Sequence, residues 1–213
     1  MEDLAQAIST GGFWMFIILA VSVIGVGVII ERFIFLFFKY NINANAFMAQ
    51  IQKLVMANSI DKAIKLCNAA PSAALARVIK AGLTRANKGT QEIQNAVEEA
   101  SLEVIPYIQK RTNSLLAIAN IATLMGLLGT IIGMIGAFSA MANVAPDKRQ
   151  AELGKNISLA MNTTAFGLIV AIPCMIAHLV LSGVTKKIID EIDLYSVKLE
   201  NLLISRSTSG SDR

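Results

Sequence analysis

Charge is missing from two long stretches of this chain. Residues 112–145 run thirty-four positions without Asp, Glu, Lys or Arg, and residues 156–185 run thirty more. A helix needs about 20 apolar residues to cross a bilayer core, so each stretch is long enough to span. Histidine and tryptophan each occur once, cysteine twice and proline four times. No nucleophile–base set, metal-ligand cluster or phosphate loop can be assembled from what remains. An enzyme is therefore not expected, nor a bound cofactor. Cys67 falls in a charged segment and Cys174 inside an apolar run, so they are not expected to pair. Cys67 reads as a free, partly buried thiol in a reducing compartment.

What is present is apolar. The chain is 54% hydrophobic with a mean hydropathy of +0.59, above the roughly 45–50% usual for soluble domains. A third apolar run, 11–38, is interrupted by Glu31-Arg32 and carries Phe13 and Trp14 as an interfacial anchor at its start. It reads as a span and not a signal peptide, because its leader is acidic and no small-residue cleavage site follows. Lysine and arginine set the orientation: none precede this run, ten fall in 39–111, three in 146–155 and five after 185. The positive-inside rule places 39–111 and the tail in the cytoplasm. The expected layout is a periplasmic segment 1–10, spans at 11–38, 112–142 and 156–183, a periplasmic loop 143–155 and a cytoplasmic tail 184–213.

The segment 39–111 reads as all helix. Ile51, Leu54 and Val55, then Ile60, Ala63, Ile64 and Cys67, follow helical spacing. Ser59 and Thr90 are expected caps, and a third helix is expected from Ser72, after Pro71. The pattern from Thr90 continues past Pro106 to Arg111 without a stop, so this helix is expected to run directly into the second span. Glu92, Glu98, Glu99 and Glu103 read as a solvated face, with contacts to a partner as the alternative. The terminal stretch 205–213 is expected to be disordered.

The late spans carry patterned small and polar residues. Gly126, Gly129, Gly133 and Gly136 share one helix face, the arrangement by which helices in lipid approach closely. Packing within one subunit explains one glycine pair; four point to a longer interface, including one between subunits. Beside this stripe, Thr123 and Thr130 stack, with Asn120 one step round. In the third span Ala160, Thr164, Gly167, Ala171, Cys174, His178 and Ser182 form a small or polar stripe. Polar groups in a membrane face the protein interior or a wet cavity, so the two stripes are expected to line a pathway or hold a further helix. A lone threonine can instead satisfy its own backbone. Thr130 and Thr164, flanked by glycines, are read as pathway groups. His178 is either a proton relay or a neutral packing residue.

The stretches GLLGTIIGMIGAF (126–138) and ISLAMNTTAFGLIVAIP (157–173) resemble the MotA/TolQ/ExbB proton-channel family, and the three-span layout is similar to its ExbB/TolQ branch. The resemblance implies an all-α membrane protein in the bacterial inner membrane, N-out and C-in, with long second and third helices extending into a helical cytoplasmic domain. It implies a homopentamer around a central pore that encloses two copies of a single-span ExbD/TolR-like partner bearing a membrane aspartate. Pore threonines would correspond to Thr130 and Thr164, with Asn162 and Thr163 towards the outer part and His178 towards the cytoplasm. The machine would be a proton-driven motor acting at the envelope, through a TonB-like or other envelope protein. The systems implied are TonB-dependent uptake, Tol–Pal or gliding. Two positions depart from the pattern. Ala122-Thr123 stands where many members have Ala-Pro, and Leu159 where some have glutamate.

Neither late span holds a carboxylate. Threonine does not titrate, so a proton acceptor for this pathway must come from another chain. A non-conducting scaffold that anchors a partner is the competing expectation. A self-sufficient carrier would need a titratable group within the spans, and only His178 offers one.

Overall fold

The computed structural model describes residues 12–40 and 42–211; the expected periplasmic segment 1–10 lies outside them. Within these bounds the chain is helical, without strands. The elements are α1 (Gly12–Ile34), a π-helix (Phe35–Tyr40), α2 (Ala44–Met56), α3 (Ile60–Ala69), α4 (Ala74–Thr84), α5 (Thr90–Gln109), α6 (Thr112–Asn143) and α7 (Arg149–Ser211). Three stretches are long and apolar enough to cross a membrane, within Phe13–Phe38, Thr90–Ala142 and Arg149–Ser205. The chain divides into two compact units. One comprises residues up to Glu31 and 111–180; the other comprises 32–110 and residues from Leu181 onward.

The first unit contains the apolar lengths of α1, α6 and α7. Its core joins Met15 and Ile18 of α1 to Ala119 and Ala122 of α6 and to Phe166, Val170, Ala171 and Cys174 of α7. Small residues let these helices approach: a methyl on Gly25 would meet the Cys174 sulfur at 3.0 Å. Large apolar side chains cover the outside, among them Phe13, Val23, Leu124, Ile135, Phe138, Ile169 and Leu179, all exposed. Such a surface is suited to lipid or to other membrane helices.

The second unit packs α2–α5 and the later part of α7. Helical spacing brings Ile51, Val55, Ala63, Cys67, Val78, Ile79, Leu83, Ile93 and Val97 inside, against Ile192 and Leu199 of α7. Burial pushes the Cys67 thiol up to about 11, partly offset by the charge of Lys80. The Glu200 carboxyl is also raised, first by burial; Gln94 pulls it back and Glu98 pushes it up again. Arg77 pairs with Glu103 at 2.8 Å and Arg85 with Glu92 at 3.5 Å, so two of the four expected surface glutamates bind neighbours on α4 or just beyond it. Arg32 is 4% exposed and donates to the Ile108 carbonyl. That carbonyl belongs to the last turn of α5, whose oxygens lack intrahelical partners.

Several boundaries differ from expectation. α5 does not run into the second span: it stops at Gln109, Lys110 is extended, and Arg111 takes a left-handed φ of 62° before α6 begins. Apolar periodicity cannot show this stop, because the break comes from two backbone angles and not from a change of face. Arg111 is held there by an ion pair with Glu31. The left-handed position costs a non-glycine residue about 1–2 kcal/mol. Gly89, at φ 97°, occupies the cap position expected for Thr90. The helix after Pro71 starts at Ala74, not Ser72. Ser59 caps α3 by position, but its hydroxyl turns back to the Ala57 carbonyl. The first candidate span reaches Phe38 as expected, its α-helix passing into the π-helix after Ile34. Finally, α7 continues to Ser211 through the stretch expected to be disordered.

Candidate functional site

The polar residues of the apolar helices are arranged about the seam between α6 and α7. All four glycines of the α6 stripe face α7 of the same chain. A Cβ on Gly126 would lie 3.2 Å from the Thr163 carbonyl oxygen, one on Gly129 2.5 Å from Thr163 Oγ1, one on Gly133 2.6 Å from Ala160 Cβ, and one on Gly136 3.2 Å from Asn156 Oδ1. Gly167 returns the contact, with the Ala122 carbonyl 2.7 Å from its would-be Cβ. The long interface read from the glycine spacing is therefore made inside one subunit, and the stripe is used up by it.

This geometry sorts the threonines. Thr163 is 2% exposed and packed against Gly129, its hydroxyl donating to the Ala160 carbonyl at 2.7 Å. It is a seam residue and does not stand on an open face. Thr164 is half-buried at the seam's edge, and its hydroxyl donates across to the Gly126 carbonyl at 3.0 Å. Thr130 is half-buried and donates to Leu127 O at 2.6 Å; Thr123 is exposed and donates to Ala119 O at 3.1 Å. Asn162 is exposed, but two residues of helix turn it about 160° away from Thr164. It does not share that face.

Helix α1 occupies one flank of the seam, against Ile118 and Met125 of α6 and Phe166 and Val170 of α7. At about 100° per residue, Thr123 and Thr130 on α6 and Thr164 on α7 fall on the other flank. Three hydroxyls thus border one groove on the side away from α1. Each has given its hydrogen to a backbone carbonyl, so each oxygen presents lone pairs outward. The groove as built accepts hydrogen bonds. His178 lies further along the same side of α7, its Nδ1 2.9 Å from the Thr112 carbonyl.

Two features escaped the sequence reading. Arg32 buries its charge at the end of α5, and Glu31 holds Arg111. Their signal was an acid–base dipeptide inside an apolar run, visible but without an assigned partner. Among the described residues no group of three or more His, Cys, Asp or Glu could hold a metal ion.

Three helices long and apolar enough to cross a membrane, with hydroxyls along the seam of two of them, define a helical membrane protein. The comparison with known proteins makes the class specific. Residues 70–194 match the MotA/TolQ/ExbB proton channel family, and the chain belongs to it. That match takes in α4 to α6, α7 as far as Leu194, and every residue of the groove. The chain is similar to a Synechocystis sp. protein named for biopolymer transport as ExbB-like 3, at 28% identity over 78% of this chain and 79% of the relative. A second relative, an ExbB homolog of Methanothermobacter thermautotrophicus also named for biopolymer transport, is 30% identical over 56% of this chain and 40% of its own length. Both place the chain on the ExbB branch.

Proposed function

We propose that this chain is the channel-forming subunit of an inner-membrane motor that converts the proton motive force into work at the cell envelope. It stands N-out and C-in, with 39–111 and 184–213 in the cytoplasm, as a homopentamer around two copies of a single-span ExbD/TolR-like protein. One observation carries this reading: three hydroxyl oxygens stand on the side of the α6–α7 seam away from α1, within two apolar spans that hold no carboxylate. Such a wall cannot carry a proton by itself. It is suited to receive an acid carried by another helix. Because the hydroxyl hydrogens are committed to carbonyls, the groove favours the protonated acid, whose O–H has acceptors to meet, over the carboxylate. The loaded acid is therefore the form that fits the hydroxyls, and discharge is the step that must break the fit. One charge moved through 100 mV is worth about 2.3 kcal/mol, comparable to about two or three neutral hydrogen bonds. The envelope work is of TonB-dependent, Tol–Pal or gliding type.

The experiment replaces Thr130 and Thr164 with valine, which keeps shape and removes the acceptor. Proton-driven work is expected to be lost while the complex still assembles; full activity in both variants overturns the assignment. A second reading has one observation in its favour. Thr123 and Thr130 bond their own helix, as threonines with no pathway role also do. That reading makes the chain a non-conducting scaffold, and it predicts work that is insensitive to uncouplers and to both valine substitutions.

A further inference from the structure

The chain has one histidine, and its surroundings define what that ring can do. A carbonyl oxygen only accepts, so the 2.9 Å contact from His178 Nδ1 to the Thr112 carbonyl requires the hydrogen on Nδ1. In the neutral ring the basic lone pair then sits on Nε2. His178 follows Thr164 by fourteen residues, which returns it to within about 40° of the same line along α7. It thus stands on the side of the helix that borders the hydroxyl groove. The side chain is half-buried, neither sealed from water nor free in it. The charged groups at this end of the unit are Arg111, next to the Thr112 anchor, and Glu31, paired with Arg111. One turn away on its own helix stand Cys174 and Ser182, both uncharged.

We propose that His178 is the exit group of the proton path: Nε2 accepts the proton released from the groove and passes it to water at the lysine-bearing end of the helix. In the step, an O–H bond of a water linking the groove to the ring breaks as Nε2–H forms, and that water regains its proton from the partner acid. The link is needed because fourteen residues of helix set His178 about 21 Å from Thr164. The imidazolium is held by its Nδ1–H donation to Thr112, and the proton then leaves from Nε2. This inference rests on the channel reading and adds to it the residue that discharges the pathway.

The first test uses the single ring as its own reporter. The chain, labelled with ¹⁵N histidine and held in native-lipid vesicles with the proteins that co-purify with it, is examined by solid-state NMR. A neutral ring protonated on Nδ1 is expected, with imidazolium appearing when the medium is acidified. The conversion should follow the pH on the side carrying the C-terminus. An Nε2–H tautomer, or a ring that stays neutral on acidification, overturns the proposal. The second test varies only this chain in inside-out membrane vesicles from the native cells. His178→Asn keeps an N–H near the Nδ1 position and cannot take up a proton. Proton flux is expected to fall about a hundredfold, the low end for a positioned proton-transfer group, and to lose its pH step, with assembly intact. His178→Gln, which lacks that placement, should lose the flux and the Thr112 anchor together. An unchanged pH step in His178→Asn overturns the proposal and leaves the channel reading standing. Full work in both threonine-to-valine variants removes the channel reading itself.

Discussion

At the scale of single residues, the chain uses small side chains for contact and sets hydroxyls beside them, the two separated by a few tens of degrees of helix. Gly129 cannot gain a methyl without meeting Thr163 Oγ1 at 2.5 Å. Gly129→Ala is accordingly expected to cost about 1–3 kcal/mol by overpacking, read as a lower unfolding temperature of the purified protein. Gly183 has nothing within 4 Å of a would-be Cβ. Gly183→Ala should be neutral or stabilising by up to about 1 kcal/mol, since alanine is the better helix former. Equal losses in both variants would show that the seam is not where close approach is enforced. Cys67 gives a pH prediction. Its thiol is raised from 9.0 to about 11 by burial, so the folded chain keeps a proton that the unfolded chain releases. Stability is therefore full below pH 9 and falls as pH rises from 9 towards 11. Thiol alkylation near neutral pH should be slow until the chain is unfolded.

At the scale of elements, sequence reading succeeded where a period or an absence of charge was the signal, and failed where a backbone angle or a partner decided. The spans, the glycine stripe and the helices around Ile51, Ile60 and Leu75 follow from apolar spacing, and the structure has them all as helix. The break at Lys110–Arg111 does not follow, because the apolar pattern continues across it while the backbone turns left-handed. Thr163 and Thr164 are adjacent and chemically identical. Only the position of α6 shows that one is buried in the seam and the other stands at its edge. The same limit applied to the glycines, whose number suggested an interface between subunits although α7 of the same chain occupies all four. Arg32 makes a prediction at this scale. Its guanidinium donates to Ile108 O at the end of α5; Arg32→Met keeps length and apolar stem but leaves that carbonyl unsatisfied. A loss of about 1–3 kcal/mol is expected, measured as thermal stability in detergent. An unchanged melting temperature would mean the α5 terminus needs no donor.

At the scale of the whole molecule, the chain belongs to a family of proton channels yet lacks, in its two late spans, any acid to carry the proton. The geometry resolves this by presenting acceptors, not a carrier: an open groove of oxygens whose hydrogens are already spoken for. On the proposed reading the work depends on two chains, one supplying walls and the other supplying the titrating acid. This division is tested most directly by gradient-driven proton flux into liposomes containing this chain alone, compared with liposomes containing it together with the proposed single-span ExbD/TolR-like protein. Flux above the empty-liposome background is expected only when both are present, and to disappear when Thr130 and Thr164 are valine. Robust flux from this chain by itself would contradict the account.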